Sequence, residues 1–157
     1  MRPSVYVESS VVSYLAARPS RDLVIAAHQQ ITRQWWSNAG SRFDVVISPM
    51  VQEEIARGDP ELARERLEAI KDLMVLAVSD AVLSRVREFA GRLGLPEKAL
   101  ADVFHIAYAV VYEVDFLATW NCAHIANPHV LRRLRDLSHE QSFFLPTIVT
   151  PDSLLED

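Results

Sequence analysis

Glu8 interrupts an apolar run, "VYVESSVVSYL" at residues 5–15, where a carboxylate needs a reason to be. Two further acids stand in similar company. In "PMVQEEIAR", Glu54 follows Met50 by four residues and Val51 by three, so a helix turns it onto its apolar stripe while Glu53 turns toward water. In "ALADVFHIAYAV", Asp102 lies four before Ile106 and seven before Ala109, again on the inward stripe. Burying an isolated carboxylate is costly unless it is paired or binds a metal. Several converging carboxylates also repel one another. A divalent cation answers both problems, and an all-oxygen ligand set selects Mg²⁺ or Mn²⁺ over zinc. Each acid taken singly has a plainer reading. Glu8 could pair with an arginine near a sheet edge, Asp102 could cap a helix, and Glu54 could be a surface acid.

Such a site needs a scaffold that brings distant segments together. Residues 4–7 read as a short buried strand, and Ser9 and Ser10 as caps of a helix over 11–17. A second helix is expected over about 22–38 and a second strand at "DVVI", residues 44–47. Ser48 with Pro49, and Asp59 with Pro60, each open a further helix, reaching about Arg57 and Asp72. "MVLAV" at 74–78 is the third strand, followed by a helix from Ser79 or Asp80 to Leu93. The remaining elements are a helix over about 99–112, a strand at 115–118, a helix capped by Asn127 with Pro128 in its first turn, and a last strand at 147–149. Strands that alternate with helices predict an α/β fold: a three-layer α/β/α sandwich around a mostly parallel sheet. Sites in such sheets form at the carboxyl ends of strands. Glu8 ends the first strand, and Thr119 and Asn121 lie just past the fourth. Asp115 starts that fourth strand, six residues before Asn121, or roughly 20 Å away if extended, at the wrong end of the sheet to help.

The bulk numbers set wide bounds. The 157 residues are expected to form a single domain over 1–157, large enough for a real core. No apolar run approaches the roughly 20 residues that span a bilayer. The first residues lack a signal-peptide pattern, and the single cysteine, Cys122, excludes an intramolecular disulfide and a cysteine-based zinc cluster. These features lead us to expect a cytoplasmic protein without a membrane partner. A net charge of −5 means that any nucleic acid must be met by a local basic surface or a bound cation.

The stretches "VYVESSVVSYL", "ISPMVQEEIARG", "ADVFHIAYAV" and "FLATWNCAHIAN", in this order and spacing, resemble the four ordered motifs of the PIN-domain family, which includes the VapC-type toxins of bacterial toxin–antitoxin pairs. The resemblance runs from Val5 to about Asn127. It implies a PIN-like α/β/α fold, an acidic pocket holding Mg²⁺ or Mn²⁺, and hydrolysis of single-stranded RNA. For the toxin branch it also implies a homodimer and a small antitoxin partner. Carried over position by position, the family's acids fall on Glu8, Glu54 and Asp102, with Asn121 in the fourth place. Ser10 matches a small hydroxyl residue that supports the first acid, and Thr119 one that precedes the fourth. Two positions depart from the usual pattern. Glu8 is one methylene longer than the customary aspartate, and Asn121 lacks the charge often found there. On the sequence alone, Glu8→Asp is therefore expected to keep or raise activity, and a tightly held second ion is disfavoured. Endonuclease chemistry would leave 5′-phosphate and 3′-hydroxyl ends, with Glu54 or Asp102 orienting or deprotonating the attacking water.

Arg132, Arg133 and Arg135 in "LRRLRD" are either a solvated helix face or a track for RNA phosphates, which Arg57, Arg92 and Lys98 would extend. His105 reads as a packed core histidine, whereas His124 either touches substrate or caps the next helix. Trp35 and Trp36 read as core or partner contacts, with stacking on bases the alternative, and the segment from Val11 to Trp36 offers apolar surface to a second copy or an antitoxin. The competing function is a PIN-fold binding module that has lost its chemistry and acts through a protein partner. A phosphoacceptor domain needs paired acids after the first strand and a lysine after the last; "VESS" and "PTIVTPDSLLED" supply neither. "VESS" also lacks the Asp-x-Asp of haloacid-dehalogenase-type phosphatases.

Overall fold

The computed structural model describes residues 1–155. Strand β1 (Ser4–Val7) is followed by helices α1 (Ser9–Ala16) and α2 (Leu23–Arg42), strand β2 (Asp44–Ile47), helices α3 (Pro49–Ile55) and α4 (Pro60–Ile70), and strand β3 (Met74–Val75). Then come α5 (Asp80–Arg92), a 3-10 turn (Glu97–Ala99), α6 (Leu100–Val111), β4 (Phe116–Ala118), α7 (Pro128–Gln141), β5 (Thr147–Val149) and a closing 3-10 turn (Pro151–Leu154). Side-chain caps explain most helix starts; those at Asp59, Ser79 and Asn127 are expected from the sequence, and that at Asp22 is found only in the structure. Asp22, Asp59 and Asn127 each accept hydrogen bonds from two backbone N–H groups of the first turn of α2, α4 and α7, and Ser79 accepts from Val82 N in α5.

The sheet is wholly parallel, in the order β3-β2-β1-β4-β5. Register pairs Tyr6 with Val46 on one side and with Leu117 on the other, so β1 is central and both of its faces are covered. Parallel neighbours need crossovers, and these are right-handed almost without exception. From β1 the chain steps outward to β2 and β3 through α1–α4, then returns to β4 and β5 through α5–α7. The reversal puts the two helix sets on opposite faces, which gives the three-layer sandwich. The side chains agree: Arg92 and Arg85 on α5 bond Glu140 and Gln141 on α7, while α1 packs against α2, α3 and α4. Buried apolar residues from Val5 to Leu154 form one continuous cluster.

Several boundaries differ from expectation by a residue or more, and three have a clear physical reason. α2 passes Asn38 and Gly40 to reach Arg42, because Ala39 and Phe43 are buried and Phe43 N bonds Ala39 O. β3 stops at Val75 because its neighbour β2 ends at Ile47, whose carbonyl takes a last bond from Leu76 N at 2.8 Å; beyond it Tyr112 Oη bonds Ala77 O at 2.6 Å. α1 begins at Ser9 with Glu8 in the cap position and no side-chain cap bond, since the hydroxyls of Ser9 and Ser10 have other partners.

The end of α5 fixes the place of Arg133. Gly94 follows the cap residue Leu93 with φ +70, a left-handed conformation natural to glycine. Its missing side chain leaves room for the Arg133 guanidinium, which donates to Leu93 O at 3.1 Å; a Cβ on Gly94 would lie 1.4 Å from Nη1. Gly94→Ala should therefore lose more than about 1 kcal/mol in urea unfolding, from strain plus eviction of Arg133. A variant as stable as the parent would show that neither constraint matters.

Candidate functional site

Glu8 leaves the carboxyl end of β1 with its backbone N–H bonded to Ala118 O at 3.1 Å, so the sheet itself ties it to the end of β4. It is only 4% exposed, and no Lys or Arg pairs with it among the described residues. Two hydroxyls serve instead. Ser10 Oγ and Thr119 Oγ1 donate to the same oxygen, Oε2, at 2.5 and 2.7 Å. Each hydroxyl oxygen in turn accepts a backbone N–H, Trp120 N at Ser10 and Asn121 N at Thr119, both at 2.9 Å. These contacts change the expectation for Glu8→Asp. The hydroxyl pair is set at the reach of a glutamate, and an aspartate would withdraw from it.

Glu54, in the last turn of α3, meets Ser9 Oγ at 2.8 Å and His105 Nε2 at 2.5 Å, both on Oε1. Burial alone would raise its pKa. The hydrogen bonds from His105 and Ser9 and the charge of Arg57 more than offset this and hold it below the usual carboxylate range. Glu53 faces outward and pairs with Arg57. His105 is fully buried, as a core histidine would be, yet it bridges the site to the interior. Its Nδ1 lies 2.7 Å from Tyr6 Oη, which lies 2.6 Å from Ser48 Oγ.

Asp102 enters from the first turn of α6. Asn121 Nδ2 donates to its Oδ1 at 3.0 Å, and His124 Nδ1 meets its Oδ2 at 2.9 Å. Asn121 Oδ1 accepts from His124 N at 3.0 Å, so the amide is engaged at both ends. Burial raises the Asp102 pKa and the nearby Glu54 charge adds to it, against the pull of His124 and His105. His124 does not cap α7, since Asn127 does.

The donor set can be tested for a cation. Glu8, Glu54 and His105 each present one ligand atom, and these atoms lie within 4.8 Å of one another. One oxygen of each glutamate is saturated by protein donors, and the other, Oε1 of Glu8 and Oε2 of Glu54, accepts no hydrogen bond from the described residues. Two bare carboxylate oxygens at strand and helix ends suit a hard divalent ion. Asp102 borders this group rather than joining it, with both of its oxygens in use.

The other expected contributors have surroundings of their own. Among the described residues no hydrogen bond or ion pair joins Arg132 or Arg133 to the acids. Arg132 lines a cavity of about 470 Å³ between α7 and β5, with Arg135 beside it. Arg92 pairs with Glu140. Asp115 sits at the opposite end of the sheet, accepting from Ser4 N and Ser4 Oγ. Trp35 is core. The residues that sequence reasoning missed are Ser9, Tyr6 and Ser48, together with the part His105 plays. Only His105 carried a signal, being three residues from Asp102 on the same inward stripe.

No protein-family model matches the sequence, and no curated protein matches it. The fold, however, is shared with a known toxin. The crystal structure of Mycobacterium tuberculosis VapC20, which cleaves the sarcin–ricin loop, superposes with a TM-score of 0.59 at 16% identity, over 77% of this chain and 92% of that one. The chain thus has a PIN-like α/β/α fold of the VapC kind.

The two pKa shifts have opposite consequences for stability. The depressed Glu54 contributes stability that is present above the unfolded carboxylate pKa, about 4.3, and is lost as pH falls through the lower folded value. The raised Asp102 works the other way. Its ionisation costs stability at neutral pH, and that cost is relieved as pH falls through its raised value. In chelator at pH 7, Asp102→Asn should melt at or above the wild-type temperature, with the difference shrinking on acidification, whereas Glu54→Gln should melt lower. Melting curves between pH 7 and 4 check this; a clear loss in Asp102→Asn would make Asp102 a structural hydrogen-bond acceptor first.

Proposed function

We propose that the protein is a Mg²⁺- or Mn²⁺-dependent endoribonuclease that cleaves single-stranded RNA, the toxin of a toxin–antitoxin pair. The observation that carries this reading is the pair of bare oxygens on Glu8 and Glu54, held in place by hydroxyl and imidazole donors beside a raised-pKa Asp102. The VapC20-like fold supports the reaction class. Glu8 and Glu54 would hold the cation, whose chemistry when bound is to acidify water and neutralise charge on a phosphate. Asp102 is suited to orient that water or take its proton, since a carboxylate of raised pKa is a better base. Asn121 and His124 hold Asp102 in position. Arg132 and Arg133 are proposed, more distantly, to meet RNA phosphates. We place the protein in the cytoplasm; no described helix is long and apolar enough to cross a membrane. A homodimer and a small antitoxin fit the apolar start of α2, where Leu23 and Val24 are 85% and 65% exposed.

One observation favours the alternative, a catalytically weak binding module. Asp102 and Asn121 have their polar side-chain atoms occupied by each other and by His124. Cation binding without turnover would establish that reading.

Two measurements test the proposal. On single-stranded RNA, cleavage should require Mg²⁺ or Mn²⁺, stop in chelator, and fall by at least about a hundredfold in Asp102→Asn, consistent with loss of a general base. Glu8→Asp should weaken activity about tenfold or more, as for lost outer-sphere support of a ligand. In thermal melts, Mn²⁺ at a hundredfold excess over Kd should add about 2.7 kcal/mol to wild-type stability, and little to Glu8→Gln. Cleavage that persists in chelator would refute metal dependence.

A further inference from the structure

We propose that Ser48, Tyr6 and His105 form a buried positioning chain that aims Glu54, engaging one carboxylate oxygen so that the other is presented to the cation. The inference rests on the reading of Glu54 as a cation ligand and adds to it the residues that set its orientation.

The chain draws on four elements. Tyr6 belongs to the central strand β1, Ser48 follows the end of β2, His105 comes from α6, and Glu54 from α3. Ser48, Tyr6 and His105 are all 0% exposed, so water cannot substitute for any of their contacts. The contacts run without a break: Ser48 Oγ to Tyr6 Oη at 2.6 Å, Tyr6 Oη to His105 Nδ1 at 2.7 Å, and His105 Nε2 to Glu54 Oε1 at 2.5 Å. Ser48 occupies the cap position of α3, the helix that carries Glu54, yet makes no cap bond. Its hydroxyl faces Tyr6 instead.

The direction of every proton follows from one end. An ionised carboxylate only accepts, so His105 Nε2 must carry the hydrogen it shares with Glu54. In the neutral ring Nδ1 is then a bare acceptor and takes the Tyr6 O–H. Tyr6 Oη in turn accepts from Ser48 Oγ. A histidine whose far nitrogen is fixed by a hydrogen bond has its tautomer and ring orientation set.

The same distances argue against His105 itself as the metal ligand. Two adjacent ligands of an octahedral Mg²⁺ or Mn²⁺, at about 2.0–2.1 Å each, stand about 3 Å apart. Nε2 and Oε1 are closer than that and share a proton. His105 therefore acts through Glu54, as a positioning residue. Ser9 helps from the other side, donating to the same Oε1 at 2.8 Å.

The test is the tautomer. In protein labelled with ¹⁵N-histidine, long-range ¹H–¹⁵N correlation distinguishes Nε2–H from Nδ1–H rings, and the signals lost in His105→Gln assign the ring. His105 should be the Nε2–H tautomer in chelator and should stay so with saturating Mg²⁺. An Nδ1–H ring in chelator overturns the chain, and a switch to Nδ1–H on adding Mg²⁺ overturns it by making His105 a ligand. Tyr6→Phe should release the tautomer into a mixture and weaken Mn²⁺ binding by calorimetry about ten- to hundredfold. Unchanged Mn²⁺ affinity in that variant also overturns the proposal. Should Tyr6→Phe fail to fold, Ser48→Ala is read in its place, with a several-fold weaker Mn²⁺ affinity expected and wild-type affinity counting against the chain. If the wild-type protein binds neither cation, the nuclease reading fails by itself, while the tautomer in chelator still decides the chain.

Discussion

A buried carboxylate on the central strand governs the architecture of the site. Glu8 has lost nearly all contact with water, and among the described residues no arginine or lysine compensates it. Its charge is carried instead by two short hydroxyl bonds to one oxygen, from Ser10 in the following helix and Thr119 past the neighbouring strand. Both hydroxyls are themselves fixed by backbone N–H groups, so the arrangement cannot relax without disturbing the junction of β1 and β4. Hydrogen bonds to an ionised group are about twice as strong as neutral ones. That strength holds the carboxylate in place with no lysine or arginine beside it among the described residues.

The other acids repeat this economy with different donors. Glu54 is held on one oxygen by Ser9 and His105, and the result is a depressed pKa despite partial burial. Asp102 has donors on both oxygens, yet burial and the Glu54 charge still leave its pKa raised. Carboxylates pushed in opposite directions are the general pattern that separates roles within a site, which is why we propose Glu54 as a ligand and Asp102 as a base. The division follows from environment: Glu54 leans on an interior histidine, Asp102 on an amide and a half-exposed histidine at the rim.

The arginines of one helix face have different local surroundings. Arg132, Arg133 and Arg135 share one short stretch and one sign of charge. In the folded chain they part company. Arg133 fills the space left by Gly94 and satisfies a carbonyl at the end of α5, while Arg132 and Arg135 line the cavity beside β5. A charge run reports composition on a surface; only the neighbouring element says whether a member of it is free.

The sequence by itself determined the order of strands and helices, the helix starts at Asp22, Asp59 and Asn127, and the inward placement of Glu54 and Asp102. These follow from side-chain periodicity and local capping, which act within a few residues. The motif order was enough to expect the PIN-like sandwich. What only the tertiary structure decided is which atoms meet. Ser9 and Ser10 look like helix caps locally, and they become carboxylate donors because β4 and α3 arrive beside them. His105 looks like core, and it is core, but the chain from Ser48 through Tyr6 crosses about a hundred residues of sequence to reach it. Such contacts depend on the parallel register that sets Tyr6 beside Val46, and on α6 closing over both. No local pattern encodes that closure, because it is the packing of the whole sheet that brings those groups within hydrogen-bond reach.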